Sequence, residues 1–459
     1  MTTQPCANIF DIPYYQDSCH YFERVRHLPY PVFLDSNAQS SNGRFDIVSA
    51  DPASIISSEQ GLDNEDLFNQ IDNEISIHTT YGTKHTSAPF VSGAIGVFSY
   101  DLGLQLNGKE TEINSDWPLL VVGIYQWAIV QDHQQQKSWL LIDPKLDKQS
   151  EDTSAELLAT ISKSKKTNDE GFQLNSDWQF NATAEEYKSK FHRAMDYIKQ
   201  GDCYQVNFAQ QMSASYSGDS WSASKTLRKI APTPYAGYFE TSNAQLISLS
   251  PERFIQVHDK QVQTQPIKGT RKRGSSSQED VKLMAELSGS EKDRAENLMI
   301  VDLMRNDLGK CCEKGSIKVP TLFQIETHPN VHHLVSTVTG ELPTASVSAS
   351  LDLLKGSLPG GSVTGAPKKR AMEIIDELEN FERSIYCGSM AYIDNSGNMD
   401  SNILIRSLLL SKRQDDTQGQ VKCWGGGGIV ADSEAELEYE ESLQKVRNIL
   451  EGLKKTRQP

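Results

Sequence analysis

Along the first 135 residues short apolar runs alternate with polar turns, as in "GAIGVFSYDLG" (93–103) and "PLLVVGIYQWAIVQDH" (118–133). That period predicts strands with few helices between them. From about 143 to 180 the chain turns polar, which predicts one short helix inside a solvated connection. The main boundary therefore falls near residue 180, between a region 1–180 and a region 181–455. The second region opens on a strong helix, "TAEEYKSKFHRAMDYIKQG" (183–201), in which Thr183 and Glu186 form a capping box. Tyr187, Phe191, Met195 and Ile198 share one face of it, and Gly201 ends it. Helices of this kind then mix with strands such as "AQLISLS", "HHLVSTVTG" and "SNILIRSLLL", a pattern that predicts an α+β fold with largely antiparallel sheets.

The stretch "SPERFIQVHDKQVQTQPIKGT" predicts two strands, 253–257 and 261–267, joined near Asp259 and Lys260. A two-residue connection makes residues whose numbers sum to ~519 face each other, which sets Glu252 opposite Ile267 and beside Lys268. An acid and an amine then share one end of a hairpin. Such a pair fits a salt bridge at a sheet margin, of small energetic value, as well as an acid and a nucleophile.

Two helical stretches carry paired acids. In "EKDRAENLMIVDLMRNDLG", Asp293 and Glu296 lie three apart, opposed by Leu298, Met299, Val301, Leu303 and Met304. In "SEAELEYEESLQKVRNIL", Glu438, Glu441 and Lys445 form one stripe, opposed by Leu443, Val446 and Ile449. Acidic stripes are commonly solvated faces, and two helices offering paired oxygens could also share a Mg²⁺. "LPGGSVTGAPKKRAMEIIDELE" (358–379) places Pro367 at the first position of an amphipathic helix through Met372, Ile375 and Leu378, with free amides able to hold an anion. It is no Walker loop, because Ala366 and Pro367 stand where Lys and Ser or Thr belong. "CWGGGGIV" (423–430) permits close backbone approach, to a ligand or within a sheet. "HPNVHH" (328–333) lacks partners at zinc spacing and reads as the start of a strand.

Composition narrows the function classes. With 459 residues the chain can bury a large core, and 45 Lys and Arg against 61 Asp and Glu give a net charge of −16, which disfavours nucleic acid and anionic membrane surfaces as partners. No basic segment followed by an apolar core opens the chain, and no run of about 18 apolar residues occurs, so a soluble, cytoplasmic protein is expected. The seven cysteines form no CxxC pair, which fits a reducing compartment.

Six motifs then act together: "GDCYQVNFAQ", "SLSPERF", "PIKGT", "DRAENLMIVDLMRNDLG", "PGGSVTGAPK" and "GGGGIVADSEAELEYEES". In order and spacing they resemble the chorismate-utilising enzymes. The likeness is strong over about 185–455 and reaches the first half through "RFDIVSADP" and "GAIGVFSYDLG". It implies antiparallel sheets sandwiched between outer helices. Most members of the family carry alanine where Lys268 stands, and "PIKGT" resembles the branch that makes 4-amino-4-deoxychorismate on the way to p-aminobenzoate and folate.

What the resemblance implies has a clear chemistry. Lys268 is a covalent nucleophile and Glu252 the general acid, while Mg²⁺ is held by Glu296 and Glu441 with Asp293 and Glu438 acting directly or through water. Tyr386 and Arg406 match the carboxylate-binding pair, Lys445 and the amides of Gly426, Gly427 and Gly428 complete an anion pocket, and Thr364 and His333 line the ring. Ser36, Arg44 and Phe45, with Pro234, Tyr235 and Ala236, match the family's tryptophan pocket. Leu358 replaces a usual aromatic, and "YEES" stands for the commoner "YQET". No glutamine amidotransferase is recognisable in the chain, so a separate glutaminase subunit supplying ammonia is expected. An anthranilate-type synthase and a non-catalytic chorismate-binding homologue are the alternatives.

Overall fold

The computed structural model describes residues 7–37, 43–61, 63–80, 88–109, 116–147, 153–163, 171–328, 331–411 and 418–454. These residues build two antiparallel sheets, one of 13 strands and one of 10. The larger runs from Asn8–Ile12 through Val32–Asp35, Tyr235–Glu240, Ala244–Ser250 and Ser407–Ser411 to Gly419–Ile429 and Gln205–Gly218. The smaller runs from Ile267–Lys272 and Val331–Glu341 through Arg253–His258, Met399–Ile403 and Ser389–Asp394 to Gly93–Phe98 and Leu120–Tyr125. Apolar side chains from both sheets, such as Val32, Ile47 and Leu246 with Ile95, Val121 and Phe254, share one buried core. A second core lies outside the larger sheet, where Phe22, Trp221, Val446 and Ile449 bring three helices onto it. Helices Asn64–His78, Glu291–Leu308 and Val347–Ser357 cover the smaller sheet, so the α+β sandwich expected from the sequence is the fold.

Several local expectations hold in detail. The helix Ala184–Gln200 has its capping box between Thr183 and Glu186, and Gly201 closes it at φ 83°. The hairpin turn at Asp259 and Lys260 places both residues at positive φ and pairs Gln256 with Gln263 and His258 with Gln261.

The hairpin ladder is shorter than the sequence suggests. It stops at the pair Gln256–Gln263, and Ile267 pairs instead with Val335, so no ladder sets Glu252 opposite Ile267. Pro266 has no N–H to extend pairing; its carbonyl accepts the Ser336 amide, and the chain crosses to a different neighbour. "SNILIRSLLL" is two strands rather than one: Met399–Ile403 belongs to the smaller sheet and Ser407–Ser411 to the larger, with Arg406 at φ 52° in the corner.

Other differences follow from tertiary packing. The four-turn helix Asn64–His78, capped by Asp63, buries Leu67, Phe68, Ile71 and Ile75 in a region read as mainly strand. "GAIGVFSYDLG" turns helical after Phe98, and 118–133 holds two strands that go to different sheets. The polar segment 143–180 contains helices Pro144–Asp147 and Thr153–Ser162 and two short strands that join the larger sheet. Both sheets take strands from either side of residue 180. Pro367 is the N-cap of the helix Lys368–Leu378 rather than its first residue. In Glu291–Leu308 the buried face is Ile300, Val301, Met304 and Leu308, while Leu298 is 46% exposed.

Candidate active site

Lys268 stands at an irregularity in its strand. Ile267 faces Val335 but Thr270 faces His333, so one extra residue sits on the lysine's side of the ladder. A bulge of this kind re-aims a side chain, and Gly269 at φ 85° supplies the backbone geometry. A Cβ at Gly269 would come within 2.9 Å of Leu287 and 3.0 Å of Asp293, so the glycine also lets the acidic helix Glu291–Leu308 press close.

Glu252 is buried in the link between strand Ala244–Ser250 of the larger sheet and strand Arg253–His258 of the smaller. Its amide donates to the Ser250 hydroxyl (3.2 Å), and its carbonyl accepts the Ile403 amide (3.1 Å). Burial pushes its carboxyl above the ordinary value, partly offset by Lys268, by a hydrogen bond from Ser362, and by Lys445 and Arg406. Burial moves the Lys268 ammonium the other way, below its ordinary value; Glu296, Glu252 and Glu441 resist that shift and Lys445 adds to it. Acid and amine therefore share one electrostatic site although no ladder pairs them.

The glycine strand and the last helix form the opposite wall. Gly425 lets the helix Ala435–Lys454 approach, since a Cβ there would lie 2.3 Å from the Ser442 carbonyl oxygen. Gly427 points to Glu438, Lys445 and Glu441, whereas Gly426 and Gly428 point to Tyr386 and Gln205 on the other face. The pleat thus divides the three glycines between two faces. Lys445 Nζ donates to the Gly426 carbonyl and pairs with Glu441, both at 2.9 Å.

The four acids are close enough to feel one another. Burial raises Glu296, with Asp293 and Glu438 adding to the effect; burial also raises Glu438, with Glu441 adding to it. In Glu441 burial is the largest influence and acts in the same sense, but Lys445, Lys268 and Lys292 together hold the carboxyl below its ordinary value. Asp293 is committed to Arg271 at 3.0 Å, and Glu438 accepts from Ser433 at 2.6 Å. Among the described residues no three His, Cys, Asp or Glu side chains converge tightly enough to hold an ion by themselves.

The remaining positions fall around this centre. Arg406 lies in the corner between the sheets, where burial lowers its guanidinium's pKa and Glu252 opposes the shift. His333 is buried, hydrogen-bonded to Thr270 at 2.9 Å and held down to about 4 by burial, so its imidazole is neutral at pH 7. Thr364 is fully buried with its hydroxyl donating to the Gly360 carbonyl at 3.0 Å, turned into its own loop. Tyr386 stacks on Trp424 with ring centroids 6.0 Å apart. Two contributors are absent from the sequence reading: Ser362, which lies inside a quoted motif, and Arg383, which pairs with Glu379 and donates to two backbone carbonyls that no sequence pattern reveals.

A cavity of about 840 Å³ lies apart from this centre. Ser36, Arg44, Phe45, Pro234, Tyr235 and Ala236 all line it, with Arg253 and Asp400. Neither Lys268 nor Glu252 reaches it.

The two-sheet body and this site define a class. Residues 30–451 match the chorismate binding enzyme family, and the chain belongs to it. It is 43% identical over 449 residues to aminodeoxychorismate synthase component 1 of Escherichia coli, covering 95% of this chain and 96% of that one. Anthranilate synthase component 1 of Aquifex aeolicus is 41% identical over a shorter match, 60% of this chain and 54% of that one. Among solved structures, anthranilate synthase component I from Streptococcus pneumoniae superposes with a TM-score of 0.76 at 29% identity, covering 89% of this chain and 92% of that one.

Proposed function

We propose that this chain converts chorismate and ammonia to 4-amino-4-deoxychorismate through a covalent lysine intermediate. The observation that carries the reading is Lys268 at a bulge, its proton affinity lowered by burial, sharing a site with the buried acid Glu252. The near full-length likeness to a protein named aminodeoxychorismate synthase component 1 supports it. The Lys268 amine attacks ring carbon C2, both ring double bonds shift toward C4, and the C4–O bond breaks as Glu252 delivers a proton so that water departs. Ammonia then bonds to C4, both double bonds shift back, and the lysine nitrogen leaves C2 as the surplus proton returns to Glu252. Arg406, Tyr386, Lys445 and the glycine amides bind and orient the substrate's two carboxylates. His333 lines its ring, while Thr364, fully buried and bonded to the Gly360 carbonyl, shapes the loop behind it.

Mg²⁺ fits the donor set by charge. Burial and mutual repulsion hold Glu296 and Glu438 above their ordinary values, a cost that a divalent cation relieves. Glu296 and Glu441 would hold it, with Glu438 and Asp293 behind them. When bound it supplies charge stabilisation at the ring carboxylate.

Ammonia would come from a separate glutamine amidotransferase subunit, in keeping with the "component 1" of the relative's name. No helix among the described residues is long and apolar enough to cross a membrane. We place the enzyme in the cytoplasm, where chorismate and reduced thiols are found together. Incubating the purified chain with chorismate, Mg²⁺ and ammonium should yield 4-amino-4-deoxychorismate, identified by liquid chromatography and mass spectrometry. Anthranilate as the product, or no turnover, would overturn the reading.

The 840 Å³ cavity is read as a tryptophan pocket. Its Arg253 lies over the Tyr235 ring at 5.1 Å and pairs with Asp400 at 2.9 Å. L-Tryptophan should raise the melting temperature in a concentration-dependent way, since a ligand at ~100 times its Kd adds about 2.7 kcal/mol to the native state. Unchanged melting at millimolar tryptophan would refute the assignment.

A further inference from the structure

Arg383 is 2% exposed, and its charge is balanced by Glu379, also buried. The helix Lys368–Leu378 ends one residue before Glu379, and the chain turns back so that the two side chains meet as a bidentate pair. Nε donates to one carboxylate oxygen at 2.8 Å and Nη2 to the other at 2.7 Å. The rest of the fork goes to main chain: Nη1 donates to the Val363 carbonyl at 3.0 Å, and Nη2 to the Asn207 carbonyl at 2.7 Å. The guanidinium lies over the rings of Tyr100 and Tyr386, at 4.7 and 5.7 Å from their centroids. Glu379 in turn accepts the Ala209 amide at 2.9 Å.

These contacts reach three walls of the site. Val363 lies between Ser362, which bonds Glu252, and Thr364, whose carbonyl accepts the Asn207 amide at 2.7 Å. Asn207 and Ala209 face Gly428 and Gly426 across the ladder, so a shift of that strand moves the glycine amides. Tyr386 is the third wall. A lone buried charge pair adds little to stability compared with apolar residues of the same shape, so a stability role alone does not account for a fork spent on two active-site carbonyls.

We propose that Arg383 is a positioning residue for chorismate binding: one guanidinium sets the loop 360–364, the glycine strand and Tyr386 in register with one another. The proposal rests on the reading that these three walls hold chorismate. Arg383→Lys keeps the charge beside Glu379 but cannot reach both carbonyls. Misplacing substrate-binding groups by about 1 Å costs up to ~100-fold, so KM for chorismate should rise about tenfold to a hundredfold, with a smaller change in kcat. The paired variant Arg383→Met with Glu379→Gln leaves no unpaired buried charge and keeps an acceptor for the Ala209 amide, and it should show the same rise. Calorimetric titration with chorismate should give a matching rise in Kd. Wild-type KM and Kd in both variants, with only a lowered melting temperature, would overturn the proposal and leave the chemistry intact. A wild-type protein that makes anthranilate would overturn the proposed product while the KM shift stands. A wild-type protein that fails to bind chorismate would overturn both.

Discussion

Lys268→Ala should lower formation of 4-amino-4-deoxychorismate by at least ~10³-fold, the scale expected when a covalent nucleophile is removed. Intact mass spectrometry gives the sharper readout. Wild-type protein mixed with chorismate and Mg²⁺ without ammonium should gain the mass of chorismate less one water, and added ammonium should discharge it. The alanine variant should show no adduct. Lys268→Arg should be equally inactive, because a guanidinium keeps its proton, whereas burial makes the Lys268 ammonium easier to deprotonate. The pH profile has a definite sign. The lysine must be neutral, so the rate rises with pH as it loses its proton; Glu252 must be protonated, so the rate falls as the acid ionises. Burial brings the two together, lowering Lys268 and raising Glu252, and the profile should be a bell. An adduct that forms on the alanine variant would place the nucleophile elsewhere.

Glu252→Gln should cost ~10²- to 10⁴-fold in kcat, the usual range for a positioned general acid. Glutamine keeps the size of the side chain and a partner for Ser362 but has no proton to give. The Glu252 charge helps Lys268 keep its proton, so removing it leaves more of the lysine unprotonated. A slower reaction in this variant therefore cannot come from a protonated amine and has to reflect the missing proton at C4. Rapid-mix mass spectrometry should find adduct formation slowed before ammonia enters. Adduct formation at the wild-type rate would move the acid role to another residue.

The sequence makes local structure plain where one short segment decides it. The capping box at Thr183 and the two-residue turn at Asp259 both follow from side chains within three or four positions. Where the hairpin ladder ends was not legible, because Pro266 releases the chain to a strand more than 60 residues away. The run of glycines announced a close approach, but only the docked helix Ala435–Lys454 decides which glycine meets a backbone and which meets the acids. Asp293 and Glu296 read as a pair, yet Arg271 engages the first while the second turns toward Lys268. The six residues around the 840 Å³ cavity come from segments some 190 residues apart, and family resemblance alone joined them. Glu379 and Arg383 stand four apart, but such a pair is commonly a surface ion pair, and nothing in the sequence shows the burial or the two carbonyls that set Arg383 apart.

The passage of both sheets across residue 180 has a bearing on how such a protein can be divided or joined to others. Strand Val32–Asp35 hydrogen-bonds to Tyr235–Glu240, and Gly93–Phe98 to Ser389–Asp394. A fragment starting after 180 would carry two raw sheet margins, each a row of main-chain donors and acceptors with no mate and apolar side chains beneath, which is the surface from which chains template one another into aggregates. A joint made at residue 180, where the composition changes, would therefore cut through strands that both sheets share rather than separate two units.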